Sequence, residues 1–232
     1  MLPRLSERIK HLYYREVNDF DKLGIKKETK LLEYRLSDDE QRQYDSAWED
    51  YISNNEEKDI DKLIKNHKLI EGAVFRQLLS EFMIPRTIEL AEKEISLGKR
   101  IIIFCCFDKE IYALQEYFKE RCVVYNGKLT LKKKDETLKK FKSDESIKVF
   151  LGNIESSSVG LSLNECSVCI FNTTSFVTST NNQGEFRVLR IGQDKDVTIY
   201  YQKFLNTFHE RMFEILEIKS NISNQIINDN NT

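Results

Sequence analysis

Seven consecutive apolar residues, Ile101 to Phe107, stand between Arg100 and Asp108 and open with three isoleucines. Short and rich in β-branched side chains, the run reads as a strand apolar on both faces, which only a sheet covered on both sides can bury. Further strands and helices succeed it in turn. A helical stretch from Lys109 to about Arg121 leads to a strand at Cys122-Val123-Val124-Tyr125 and a helix from Thr130 to Lys142. Strands at Ile147 to Leu151 and Val168 to Phe171, a helix at Gln183 to Leu189, a strand at Val197 to Gln202 and a helix at Asn206 to Ile218 complete the series. This alternation with short connections predicts an α/β fold, a parallel sheet flanked by helices, with ligands at the carboxyl ends of the strands.

The first hundred residues carry a different pattern and read as helices and connectors. Ser37 followed by Glu40 has the spacing of a capping box, and Tyr44, Ala47, Trp48 and Tyr51 recur at helical intervals. Further helical patterns run from about Ile60 to Leu79 and from Thr87 to Leu97, the last ended by Gly98. The expected division is a linker over 1–35, a helical segment over 36–97, the α/β lobe over 98–219 and a frayed tail over 220–232.

Charge is split locally and balanced globally. Ten carboxylates lie between Ser37 and Asp61 against Arg42 and Lys58, yet the whole chain holds 36 basic and 38 acidic residues. That balance excludes a basic nucleic-acid tail and a highly charged disordered chain. The five cysteines sit mostly in apolar runs, as buried thiols of an intracellular protein do. The amino terminus meets charge at once, and a seven-residue apolar run is far short of the roughly 20 residues that span a bilayer, so neither a signal peptide nor a membrane segment is expected.

The segment with most chemical content is Gln183-Gly184-Glu185-Phe186-Arg187-Val188-Leu189-Arg190-Ile191-Gly192-Gln193. On a helix Arg187 and Arg190, three apart, project from one face, with Gln183 one turn before. Two guanidinium forks on one face suit a polyphosphate; a solvated face with surface salt bridges is the plainer alternative. The pattern Gln-x-x-x-Arg-x-x-Arg-Ile-Gly-Gln resembles the sixth motif of the Swi/Snf-type DNA helicases and translocases of helicase superfamily 2. Lys99 to Phe118 is similar to the fourth motif, Tyr125-Asn126-Gly127 through Phe141 to the element after it, and Ser158-Val159-Gly160-Leu161-Ser162-Leu163 to the fifth. Leu32 to Trp48 resembles the approach to the second lobe, and the spacing is nearest the annealing-helicase branch.

The resemblance implies a second, RecA-like motor lobe acting on ATP with Mg²⁺ and on DNA, in the cytoplasm of a prokaryote or virus-infected host, or in a nucleus. Arg187 and Arg190 then fall at the arginine fingers, Gln183, Gly160 and Ser162 at the coupling of nucleotide to DNA, and Gly127, Lys128, Thr130 and Lys134 at DNA phosphates. ATP hydrolysis then needs a first RecA-like lobe, in another chain or a longer precursor. Here the Gly-Lys pairs, Gly98-Lys99 and Gly127-Lys128, lack the Ser or Thr of a phosphate loop. Asp38-Asp39-Glu40 follows no buried strand and reads as helix capping. Departures from the pattern are Ser158 for the fifth motif's first glycine, Ser162, Phe186 for an acidic residue, Lys134 for an arginine, and Ser175 to Ser179 for a Trp-Asn-Pro stretch. They fit a diverged, viral or phage-derived member, or a non-catalytic remnant that binds DNA or a partner helicase.

Seven lysines lie between Asn126 and Lys142 against Asp135 and Glu136. They read either as a sequence-independent, salt-sensitive phosphate surface or as a solvated helix face. Cys166 and Cys169, with no second cysteine pair, are expected in the core on opposite faces of a strand, and no metal site is expected. Trp48 and the Tyr13-Tyr14 pair read as packing residues.

Overall fold

The computed structural model describes residues 24–54, 69–156 and 161–217. Six parallel strands form one sheet: β1 (Lys27–Tyr34), β2 (Ile101–Cys105), β3 (Cys122–Tyr125), β4 (Val149–Asn153), β5 (Val168–Phe171) and β6 (Val197–Phe204), in the order β1-β6-β5-β2-β4-β3. Helices α1 (Asp38–Asn54), α2 (Leu69–Ser96), α3 (Asp108–Phe118), α4 (Leu131–Ser143) and α5 (Thr178–Glu185), with α6 over 208–217, supply the covering layers. This is the RecA-like α/β arrangement.

The apolar run becomes the central strand. All five residues of β2 are buried, and alternation sends Ile102 and Phe104 into one core, with Phe141, Phe150 and Phe171. Ile101, Ile103 and Cys105 enter the other, against Leu90 and Ala91 of α2 and Ile111, Leu114 and Phe118 of α3. A third cluster joins Tyr44 and Trp48 of α1 to Phe75, Leu79 and Met83 of α2 and Phe208 of α6. Trp48 is thus a packing residue, its ring 5.2 Å from Phe75. The Tyr13-Tyr14 pair lies outside the described residues.

The capping box forms: Ser37 N donates to Glu40 Oε2 at 2.8 Å and Glu40 N donates to Ser37 Oγ at 3.3 Å. Arg86 Nη2 also donates to Glu40 Oε2 at 2.7 Å, holding that carboxyl below the usual carboxylate range and tying α1 to α2. Gly98 ends α2 at φ +80°, the left-handed conformation open to glycine.

Four expectations are corrected. The segment read as a linker contains β1, which pairs with β6 over its full length, Lys27 with Val197 through Tyr34 with Phe204. Its sequence, Lys-Glu-Thr-Lys-Leu-Leu-Glu-Tyr, is that of an exposed edge and carries little strand signal. The separate helices expected before Gly98 are one helix, α2, which runs through exposed Pro85, while 60–68 lie outside the described residues. The helix expected over Gln183 to Leu189 is α5, shifted to Thr178–Glu185, and it ends before both arginines. Cys166 and Cys169 enter the same core, because Cys166 precedes β5 instead of lying within it.

Candidate functional site

The carboxyl ends of β2 and β5 are locked together by a buried polar network. Glu110 Oε1 accepts from Phe107 N at 2.9 Å, and its Oε2 accepts from Asn172 Nδ2 and Thr173 Oγ1, both at 2.6 Å. Thr87 Oγ1 donates to Asn172 Oδ1 at 2.6 Å, and Gln202 Nε2 donates to Thr87 at 2.8 Å. Burial pushes the Glu110 carboxyl up, against the pull of its hydrogen-bond donors and the charge of Arg76. From this base the chain enters α5 directly after Val177, whose side chain makes no cap.

At the end of α5 the fit becomes close. A β-carbon on Gly184 would lie 3.2 Å from both Phe104 and Phe171, so the helix end rests directly on the aromatic core. Glu185, 6% exposed, accepts from Lys27 Nζ of β1 at 2.5 Å and from Tyr201 Oη of β6 at 2.8 Å. Tight turns come next, with Arg187 N donating to Gly184 O at 3.0 Å and Val188 N to Glu185 O at 3.1 Å.

These turns deliver both arginines to one place. Arg187 Nη1 lies 3.4 Å and Arg190 Nη1 2.9 Å from the carbonyl oxygen of Leu161, at the start of the described chain after 157–160. Arg187 is 8% exposed and Arg190 is exposed, so one guanidinium is seated in the protein and the other opens to solvent. Gln183 is exposed on α5. Ser162 Oγ donates to Asn164 Oδ1 at 3.1 Å, and Asn164 Nδ2 donates to Ile191 O at 3.1 Å, lacing the Ser162 loop to the arginine turn. Gly192 makes that approach possible: at φ +94°, a β-carbon there would stand 2.8 Å from Asn164 Nδ2. Gly160 lies outside the described residues.

The side chain of Gln193 closes the segment. Buried to 4% exposure, it donates to Cys166 O and Val188 O, both at 2.9 Å, and accepts from the backbone N–H groups of Asp194 and Lys195.

The lysine-bearing loop leaves β3, three strand positions from β5 and so about 14 Å away across the sheet. Asn126 Oδ1 accepts from Lys128 N at 3.1 Å and shapes the loop, in which Gly127 and Lys128 are exposed. Thr130 caps α4, its Oγ1 accepting from Lys133 N at 3.4 Å. Lys128 Nζ meets Asp108 Oδ2 at 2.8 Å and Tyr112 Oη at 3.0 Å. Lys134 Nζ sits 5.2 Å from the centre of the Tyr125 ring. Burial pushes the Tyr125 phenol up while the charge of Arg187 pulls it down, so this one ring feels both the arginine and the lysine regions.

Residues 83–192 match the helicase conserved C-terminal domain. That stretch, just under half of the chain, is similar to a helicase C-terminal domain. An uncharacterized ATP-dependent helicase of Mycoplasma pneumoniae is 27% identical over 148 residues, 62% of this chain and 14% of that protein. A Drosophila melanogaster homolog of a SWI/SNF-related chromatin regulator containing a DEAD/H box is 26% identical over 132 residues, 56% of this chain and 16% of that protein. The chain therefore spans a small part of these curated relatives. The Sulfolobus solfataricus SWI2/SNF2 ATPase core superposes with a TM-score of 0.68 at 20% identity, over 87% of this chain and 44% of that one. The same core solved with double-stranded DNA gives 0.65 over 84% of this chain. SWI/SNF-related relatives and SWI2/SNF2 ATPase structures thus both stand among the proteins this chain is similar to.

Sequence reasoning singled out Arg187, Arg190 and the lysine loop, but missed Glu185, Tyr125 and Glu110. A carboxylate beside Gly and Phe has the local look of any surface residue; its partners Lys27 and Tyr201 are distant in sequence. Among the described residues no helix is long and apolar enough to cross a membrane.

Proposed function

We propose that this domain is the second motor lobe of an ATP-dependent DNA translocase. Arg187 and Arg190 act on the γ-phosphate of an ATP held mainly by a first RecA-like lobe, supplied by another chain or a longer precursor. The observation that carries this reading is the convergence of both guanidiniums on Leu161 O. A neutral carbonyl is a weaker acceptor for a guanidinium than a phosphate oxygen, which would take both forks in charge-assisted bonds.

In the working site Arg190, already open to solvent, meets the phosphate first, while Arg187 provides charge from its buried seat. As the bond to the leaving diphosphate lengthens, negative charge spreads over the transferring phosphoryl oxygens, and two fixed guanidiniums stabilise that distribution more than the ground state. Mg²⁺ would be held by the phosphates and the first lobe; among the described residues no group of three or more acidic, histidine or cysteine side chains is placed to hold a metal ion. Movement of the arginines pulls on Leu161, and through Ser162 and Asn164 on the loop of the fifth motif, with Gly160 and Gln183 in the same relay.

Duplex DNA is the proposed track, a reading supported by the Sulfolobus core having been solved with double-stranded DNA. Lys128, Lys134, the Thr130 end of α4 and the Gly127 backbone supply contacts to phosphates, independent of base sequence.

The test is ATP turnover, with and without duplex DNA, by this domain complexed with or joined to a first lobe, repeated with Arg190→Ala. The expected loss in DNA-stimulated turnover is about 10³-fold or more, with circular dichroism unchanged. If a proven complex is inactive, or Arg190→Ala is silent, the motor reading fails. The replacement of an acidic residue by Phe186 then favours a non-catalytic module that binds DNA or a partner helicase.

A further inference from the structure

Lys128, the most prominent lysine of the loop after β3, does not extend freely into solvent. Its ammonium is clasped by two side chains of the neighbouring helix: Asp108 Oδ2 at 2.8 Å and Tyr112 Oη at 3.0 Å, with the Tyr112 ring centre 5.4 Å away. Asp108 and Tyr112 occupy adjacent turns at the start of α3, so both reach the same point above the sheet edge. The clasp spans two separate connections, the one leaving β2 and the one leaving β3. Both partners remain accessible, at 63% of the Lys128 side chain and 43% of that of Asp108, so an incoming anion can reach the ammonium from outside.

We propose that Asp108 is an intramolecular competitor for the phosphate backbone: it occupies Lys128 when no nucleic acid is bound and is displaced by a DNA phosphate during engagement. This rests on the DNA reading of the loop and adds its regulation. Three physical points support it. An exposed ion pair contributes little to stability, so its exchange for another anion is cheap. A carboxylate left near the phosphate after exchange repels it, so the clasp lowers the resting affinity of the surface and favours release. A lysine already neutralised by Asp108 releases fewer salt ions on binding DNA, which reduces the salt sensitivity of the complex. The same bonds to Asp108 and Tyr112 push the Lys128 ammonium well above its ordinary range.

For a motor lobe, that is a use. A track-binding lysine with its own internal anion can let go of one phosphate without becoming a bare charge, and take the next.

Two readouts on the intact chain separate the clasp from the DNA reading. The first needs no DNA: acylation of amines by an N-hydroxysuccinimide ester at mildly alkaline pH, with Lys128 quantified by mass spectrometry. Asp108→Asn should raise Lys128 labelling several-fold, with Tyr112→Phe giving a smaller rise. The second is affinity for a short mixed-sequence duplex at a series of salt concentrations. Asp108→Asn should tighten binding about three- to tenfold at low salt and steepen the dependence of log affinity on log salt by about 0.9. Both gains should vanish in the Asp108→Asn/Lys128→Ala double variant.

Asp135→Asn is the control for charge alone, because Asp135 pairs with Lys139 at 2.7 Å one turn apart on α4. An equal gain in affinity from Asp135→Asn overturns the proposal, since general electrostatics would then suffice. Unchanged labelling of Lys128 in Asp108→Asn overturns the clasp itself. Increased labelling without tighter binding, in a protein that does bind duplex, leaves the clasp intact and removes its gating role. If no variant binds duplex while labelling still responds, the DNA reading has failed and the gating role falls with it.

Discussion

The arginine segment after β5 and the lysine loop after β3 are built on opposite plans. Beyond β5 the arginine segment is fastened from beneath: Gly184 rests on Phe104 and Phe171, Glu185 is held by Lys27 and Tyr201, and Gln193 is bonded to four backbone groups. Beyond β3 the lysine loop is fastened at its ends by the Asn126 turn and the Thr130 cap, and Lys128 between them is held only by the solvent-accessible side chains of Asp108 and Tyr112. The difference matches what the proposed motor role asks of each charge. Stabilising a transition state requires donors fixed in advance, because reorganisation during the reaction costs rate. Contacting a repetitive backbone irrespective of sequence requires charge with reach and easy exchange.

The largest stability effect expected from the comparison is at Gln193. Its replacement by alanine leaves two buried carbonyls and two N–H groups short of a partner, and should cost about 3 kcal/mol in urea unfolding. Gly184→Ala comes next: the methyl group meets two ring edges, and about 1–2 kcal/mol is expected from overpacking, with a further loss of turnover as the arginine turn shifts. If either substitution is neutral in denaturant titration, the arginine segment is not the rigid half.

Acid should weaken the seat of α6 at the end of β6. His209 on α6 stacks near Phe204 and its Nδ1 accepts from Phe204 N at 3.5 Å. Burial, helped by the charge of Arg76, lowers its pKa from 6.5 to about 3. The folded state therefore favours the neutral ring, so this contribution is complete above 6.5 and is lost as pH falls from there toward 3. Unfolding midpoints measured across that interval should fall less steeply in His209→Asn, whose Oδ1 can accept the same bond without protonation. An identical slope in both proteins would assign the acid sensitivity elsewhere.

The smallest expected stability change belongs to Lys128→Ala, whose urea midpoint should match that of the parent protein, yet this variant should weaken duplex binding and, because Asp108 already neutralises Lys128, flatten its salt slope by less than the roughly 0.9 of a free lysine. That dissociation of binding from stability is the signature of the lysine half. A destabilisation comparable to that of Gln193→Ala would erase the distinction.

Much of this was legible along the chain because it depends on neighbours in sequence. The continuous apolar run of β2, the Ser37–Glu40 capping box, the glycine stop at Gly98 and the Thr130 cap are each written within a few residues, and each forms. The pairing of Arg187 with Arg190 was also readable, though they meet on turns after α5 and not on a helix. The turns keep the same three-residue recurrence, so both side chains still arrive on one side.

What the sequence determined by itself was the alternation of strands and helices after Gly98 and the two charged motifs, because helix and strand periods are enforced by backbone geometry at short range. Only the tertiary structure decided that polar β1 is a strand, since β6 supplies its hydrogen bonds across 170 residues of chain between Lys26 and Asp196. It likewise decided that Glu185 is buried against Lys27 and Tyr201, and that Asp108 holds Lys128. The physical reason is the same in each case: a charged side chain carries no local mark of its partner, and the partner is chosen by which loops the sheet brings side by side.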